Sequence, residues 1–105
     1  MKKDLISIIV PTLNASSTIK STLKSVLNQT FKNWEVIIID GYSTDRTISI
    51  IKKFNNKKFK IYSLHKKKGL AEARYTGIKN SKGNYIAFLD ADDLWNRNKL
   101  KYQLN

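Results

Sequence analysis

Four short apolar runs with helical patterns between them constrain this chain more than any other feature. They are Leu5–Val10 (LISIIV), Val36–Ile39 (VIII), Phe59–Leu64 (FKIYSL) and Tyr85–Leu89 (YIAFL). The first, second and fourth are nearly continuous in β-branched or aromatic residues, which is how strands buried on both faces read. The third alternates. Between the first two, Ile19, Leu23, Val26 and Leu27 fall at i, i+4, i+7 and i+8 on one helix face, with Ser16 or Ser17 placed to cap it. Ile48, Ile51 and Phe54 form a second stripe behind Y-S-T-D, a cluster suited to a helix start. Ala71, Ala73, Tyr75 and Ile78 form a weaker third stripe, closed by N-S-K-G. The last residues, NRNKLKYQLN, begin a further helix. The order β-α-β-α-β-α-β-(α) predicts a Rossmann-like, three-layer α/β sandwich. Its sheet is mostly parallel and helices cover both faces.

The 105 residues make one domain and can bury a real core. With no cysteine there is neither a disulfide framework nor a thiolate metal site. The apolar run near the N-terminus is broken by Pro11 and is too short for a signal-peptide core or a membrane span. The net charge of +12 admits two readings. One is compositional: Lys, Asn and Ile, all with AT-rich codons, make up 40 of the 105 residues. The other is an anionic ligand or membrane surface. A nucleic-acid interface would need the cations gathered on one face, whereas here they are spread through helices and loops. No G-x-G-x-x-G or G-K-[ST] stretch occurs, which excludes dinucleotide and P-loop sites.

In parallel α/β sheets ligands bind beyond the carboxyl ends of the strands. Those ends carry Pro11-Thr12, Asp40-Gly41, the basic His65–Gly69 loop and Asp90-Ala91-Asp92-Asp93. Asp90 and Asp92 are two apart, so in an extended segment their carboxylates point the same way. Such a pair suits a hard divalent cation that also takes phosphate oxygens. The alternative is that Asp90 ends the strand and Asp93 caps the next helix. Asp40 is either a turn residue or a hydrogen-bond acceptor for a base or ribose. Arg74 is either a surface cation or a diphosphate clamp. His65 reads as a loop residue, and Trp34 and Trp95 read as packing residues.

Together these segments resemble the family 2 inverting glycosyltransferases of the GT-A fold. SIIVPTLNASSTIKSTLKSVLNQTFKNWEVIIIDGYSTDRT is similar to that family's opening. KGLAEARYTGIKNSKGNYIAFLDADDLW is similar to its continuation, which ends in a D-x-D motif. The resemblance implies that Pro11 and Thr12 border a nucleotide pocket, that Asp40 contacts the nucleoside, and that Arg74 lies near the diphosphate. It implies that Asp90, Ala91 and Asp92 form the donor-side D-x-D turn. Asp92 would then be the direct ligand of Mn2+ or Mg2+, with Asp90 nearer the ribose or the metal and Asp93 behind them or capping.

Three positions depart from the family pattern. Gly41 stands where many members carry a second acid, Tyr42 replaces a usual glycine, and no proline follows Trp95. Members also run well beyond this length. Residues 1–105 are therefore expected to be the donor-binding portion, truncated before the acceptor-binding part and the catalytic base, so no catalytic residue is assigned here. The implied reaction moves a sugar from a nucleotide-diphosphate sugar, UDP favoured, to a saccharide or lipid-linked acceptor with inversion. The implied location is cytoplasmic, and the positive charge suits the inner face of an anionic membrane. An uncovered face makes self-association an expectation too. A haloacid-dehalogenase-like phosphatase also pairs an apolar strand with D-x-D. There a Thr or Val usually follows the second Asp by two positions, where this chain has Leu94.

Overall fold

The computed structural model describes residues 4–66 and 68–104. Its elements are β1 (Ile6–Thr12), α1 (Ile19–Leu27), β2 (Trp34–Asp40), α2 (Thr47–Lys53), β3 (Phe59–Ser63), α3 (Leu70–Lys79), β4 (Tyr85–Phe88) and α4 (Lys99–Leu104). The alternation expected from the apolar runs is the one observed. Every strand pairing is parallel, and the sheet order is β3-β2-β1-β4. The chain steps outward from β1 to β3, then returns to the other side of β1, so the order reverses between β1 and β4. Thr12 lies opposite Asp40, whereas Phe88, the last residue of β4, lies opposite Ile9. β1 therefore outruns β4, leaving a notch on the carboxyl rim at the switch point, where this class of sheet holds its ligands.

Strand alternation divides the core into two layers. Ile6, Ile8, Val10, Val36 and Ile38 face Ile19, Leu23 and Val26 of α1, Ile51 of α2 and Leu100 of α4. Ile9, Ile37 and Ile39 face the opposite way, toward Ala73 of α3. Helices thus cover both faces. Each fully buried isoleucine stabilises the fold by about 1.5–3 kcal/mol, so these two layers are the main driving force. Trp34 and Trp95 are buried in the first layer, as packing residues should be.

Three local readings need correction. The residues α3 buries are Ala73 and Gly77, while Tyr75 and Ile78 are 61% and 49% exposed. The reason is close approach: a Cβ on Gly77 would meet Ile9 Cγ2 at 2.5 Å, so the smallest residues face the sheet. The fourth apolar run is not buried on both faces, since Tyr85, Ile86 and Phe88 are 47%, 40% and 44% exposed. β4 is an edge strand with β1 as its only neighbour among the described residues. At α1 the cap position is Thr18, not Ser16 or Ser17, and its side chain does not bond the helix's free N–H groups.

The amino end of the sheet is closed by a buried carboxylate. Glu35 is 5% exposed. Its Oε2 accepts from Ser7 Oγ at 2.6 Å and from the Lys82 N–H at 2.7 Å, and its Oε1 accepts from Lys60 Nζ at 3.0 Å. Ser7 Oγ accepts in turn from the Gly83 N–H at 2.8 Å. Burial pushes the Glu35 pKa up, but the Ser7, Lys82 and Lys60 donors outweigh it and hold it below the ordinary value. This network ties β1, β2 and β3 to the turn that enters β4.

Candidate functional site

The loops after β1 and β2 are stapled to each other. The Gly41 N–H donates to the Thr12 carbonyl at 2.7 Å. The Asn14 N–H donates to Ser43 Oγ at 2.9 Å, and Asn14 Oδ1 accepts from the Thr44 N–H at 2.8 Å. The Ala15 N–H donates to Thr47 Oγ1 at 2.9 Å. Asp45 completes the staple, accepting from the Ser16 N–H at 3.2 Å and the Thr47 N–H at 3.0 Å. The Thr47 hydroxyl, ahead of the other donors, holds the Asp45 carboxyl at about 2. Asp40 is 3% exposed, and its carboxylate accepts from the Ser43 N–H at 3.0 Å and from Ser43 Oγ. Ser43 thus orients this carboxylate at the mouth of β2.

Tyr42 follows with φ at +78° and is 53% exposed. Only glycine takes this left-handed region without cost. The departure noted in the sequence therefore falls where the backbone itself favours glycine.

Asp90-Ala91-Asp92-Asp93 does not continue β4 in extended form. It folds into a turn in which the Asp93 N–H donates to the Asp90 carbonyl at 3.0 Å, so strand alternation does not govern where Asp90 and Asp92 point. The turn is anchored through its backbone: Thr18 Oγ1 and Thr22 Oγ1 of the α1 segment both donate to the Ala91 carbonyl, each at 2.9 Å. Asp93 accepts from the Leu94 N–H at 2.9 Å. The segment beyond is held by Gln29, which is fully buried. Gln29 Nε2 donates to the Asn96 carbonyl at 2.7 Å, and Oε1 accepts from the Leu100 N–H at 3.1 Å. The S-V-L-N-Q-T stretch, Ser25 to Thr30, thus clamps the segment that leaves the carboxylate turn, while Thr18 and Thr22 hold the turn itself.

A cleft of about 190 Å³ opens beyond β1 and β2, lined by Pro11, Thr12, Leu13, Gly41, Gly69, Leu70 and Ala73. Pro11 and Thr12 lie in it as expected. Asp40, Arg74, Asp90, Ala91 and Asp92 are not among its lining residues. The aspartates of the turn are exposed beyond the end of β4, on the rim it shares with β1. Arg74 is also exposed, with its guanidinium 5.5 Å from the Phe88 ring centroid at the end of β4. The structure thus brings the site candidates to one rim but not into one enclosed pocket. His65 is an exposed loop residue, and of the basic loop around it Lys67 lies outside the described residues.

Among the described residues no group of three or more His, Cys, Asp or Glu could hold a metal ion. These residues therefore offer no closed cage of protein ligands. Two exposed oxygen donors, Asp90 and Asp92, fit the other mode, in which one or two carboxylates share a divalent cation with substrate phosphates.

The model of the family described as "Glycosyl transferase family 2" matches residues 7–105, and the chain belongs to that family. It is 43% identical over 101 residues to the UDP-Glc:alpha-D-GlcNAc-diphosphoundecaprenol beta-1,3-glucosyltransferase WfgD of Escherichia coli. That match covers 96% of this chain and 40% of the relative. The crystal structure of S. aureus TarS in complex with UDP-GlcNAc superposes with a TM-score of 0.90 at 34% identity, over 94% of this chain and 30% of that one. A mannosyltransferase from Pyrobaculum calidifontis in complex with GDP-Man and Mn2+ gives 0.82 at 27% identity, over 88% of this chain and 29% of that one. The fold is therefore the GT-A fold. The chain spans about 40% of the length of several curated relatives it matches, WfgD among them, and 13–16% of the length of others.

Proposed function

We propose that these residues are the donor-binding portion of a glycosyltransferase that takes a nucleotide-diphosphate sugar, with a UDP-sugar favoured. The observation that carries this reading is the convergence of three loops on one rim. Those after β1 and β2 are stapled through Asn14, Ser43 and Asp45, and the Asp90–Asp93 turn is anchored on α1. The UDP-GlcNAc complex of TarS supports a nucleotide-sugar donor, and the Mn2+ complex of the archaeal mannosyltransferase supports a divalent cation.

In this reading Pro11 and Thr12 form the wall of the nucleotide pocket. Asp40, held by Ser43, accepts from the base or ribose, and Arg74 pairs with the diphosphate. Asp92 and Asp90 hold Mn2+ or Mg2+, with Ala91 fixing the turn between them. A bound cation supplies charge neutralisation for the departing diphosphate. The base that deprotonates the acceptor hydroxyl is not among these residues, and the transfer inverts the anomeric carbon. The acceptor is a saccharide or a lipid-linked saccharide, a class supported by the name of the E. coli relative. The site of action is the cytoplasm at the inner face of an anionic membrane, supported by the net charge of +12. No helix among the described residues is long and apolar enough to cross a membrane.

The test is calorimetric titration of UDP into the chain with Mn2+, with EDTA, and with an Asp92→Asn variant. Binding that needs the cation and fails in the variant is the expected result. UDP binding that ignores both EDTA and the substitution would remove the metal–diphosphate reading.

A further inference from the structure

We infer that Tyr42 stacks on the base of the bound nucleotide, a role that rests on the donor reading given above for this rim. Among the described residues, the non-glycine residues at positive φ are Asn14, Tyr42 and Asn55. Asparagine tolerates the left-handed region, whereas a tyrosine held at +78° is strained. Strain of this kind gathers at ligand sites, where it is kept for what the side chain does.

Packing does not explain the ring. Tyr42 is exposed and belongs to neither core layer. Among the described residues no aromatic ring or cation is stacked on it. The flanking bonds impose its backbone. On one side the Gly41 N–H is tied to the Thr12 carbonyl, and on the other Ser43 is tied to Asp40 and Asn14. These bonds lie wholly within residues 12–43, far in sequence from the end of the chain. The local fold thus favours glycine at position 42 and carries a tyrosine.

Position 41 is the converse. Gly41 lies outside the left-handed region, and a Cβ there would meet nothing closer than the Thr12 carbonyl oxygen at 3.5 Å, an ordinary contact. The backbone does not require glycine, yet residue 41 leaves bare main chain in the wall of the cleft of about 190 Å³. No side chain at 41 is there to read the edge of a base. Pro11, Leu13, Leu70 and Ala73 make the rest of the wall largely apolar. Adjacent Cα atoms are about 3.8 Å apart, so a ring carried by residue 42 is long enough to lie across that wall. A flat ring beside an apolar cleft suits a flat aromatic ligand, and the base is that part of a nucleotide-diphosphate sugar. Stacking favours every base alike, so Tyr42 supplies affinity and Asp40 is left to supply the polar contact.

The test is titration of UDP into the chain with Mg2+, a diamagnetic cation, followed by calorimetry and by proton NMR. Wild type is compared with Tyr42→Phe, Tyr42→Leu and Tyr42→Gly. In the wild-type complex the uracil ring protons should move upfield under the ring current of Tyr42. Tyr42→Phe should keep both the shift and the affinity. Tyr42→Leu and Tyr42→Gly should lose the shift and bind UDP about 5- to 150-fold more weakly, the worth of one stacked base. A tyrosine with a purely structural role would lose affinity only together with stability, so the melting temperature of Tyr42→Gly should not fall. Wild-type affinity in either of those two variants overturns the stack and leaves the donor reading in place. So do uracil protons that do not shift in the wild-type complex, or weaker binding by Tyr42→Gly that comes with a lower melting temperature. A wild-type chain that binds no UDP in the presence of the cation overturns both.

Discussion

Replacing Gln29 by alanine should unfasten the segment that leads away from the carboxylate turn. Gln29 is fully buried, and its carboxamide is the recorded side-chain partner of the Asn96 carbonyl and the Leu100 N–H. A buried polar group left without a partner costs about 1–3 kcal/mol. The Leu100 N–H would lose its partner, whereas the Asn96 carbonyl keeps the Lys99 N–H at 3.0 Å, so the expected loss is about 1–3 kcal/mol. A small domain has only about 5–15 kcal/mol in total. The melting temperature should therefore fall by roughly 4–24 °C, at 4–8 °C per kcal/mol for a domain of this size. Urea unfolding followed by far-UV circular dichroism and by tryptophan fluorescence measures it, with Trp95 reporting from the clamped segment itself. A loss below about 0.5 kcal/mol, the range of an ordinary surface change, would refute the clamp.

Tyr42→Gly should stabilise the chain by up to about 1 kcal/mol. It relieves a left-handed backbone that costs a side-chain-bearing residue about 1–2 kcal/mol, less the extra entropy of glycine. A lower melting temperature would show that the exposed ring makes contacts worth more than the strain. Glu35 should make stability depend on acid. Its pKa is lowered on folding, so its contribution is complete above the ordinary value of 4.5 and is lost as pH falls through the lower folded value. Glu35→Gln should cost about 1.5–3 kcal/mol at neutral pH, the worth of hydrogen bonds to a charged group, and should flatten that acid limb. An unchanged slope in urea melts across the same pH range would remove Glu35 as its source.

The alternation of strands and helices was legible because each apolar run carries its own period and length. What the runs could not convey is who the neighbours are. β4 reads like a central strand because its residues suit burial, yet burial depends on what lies beyond its edge. The stripe on α3 was misread because close helix–sheet approach selects Gly77 and Ala73, and counting large apolar residues passes over both. In the candidate site, Pro11, Thr12, Asp40 and the aspartate cluster stood out as polar or turn residues at strand ends. Ser43 and Asp45 stood out only as part of a helix start, and Asn14 and Gln29 not at all, because their work is done across loops far apart in sequence. The Asn14–Ser43 bond spans 29 positions and the Gln29–Leu100 bond 71. The extended reading of Asp90 and Asp92 failed for the same reason, since the turn is held by threonines 69 and 73 positions before Ala91.

That anchor also shapes how the chain tolerates mutation. The acceptor at the centre of the carboxylate turn is the main-chain carbonyl of Ala91, and no substitution at residue 91 can delete a carbonyl. The two donors are a full helical turn apart and address the same oxygen, so either hydroxyl keeps the oxygen bonded if the other is lost. Serine at either position would preserve the donor. Sequence drift can therefore run through Thr18, Thr22 and residue 91 one step at a time while the turn stays tethered. Only the loss of both hydroxyls in one lineage would set it free.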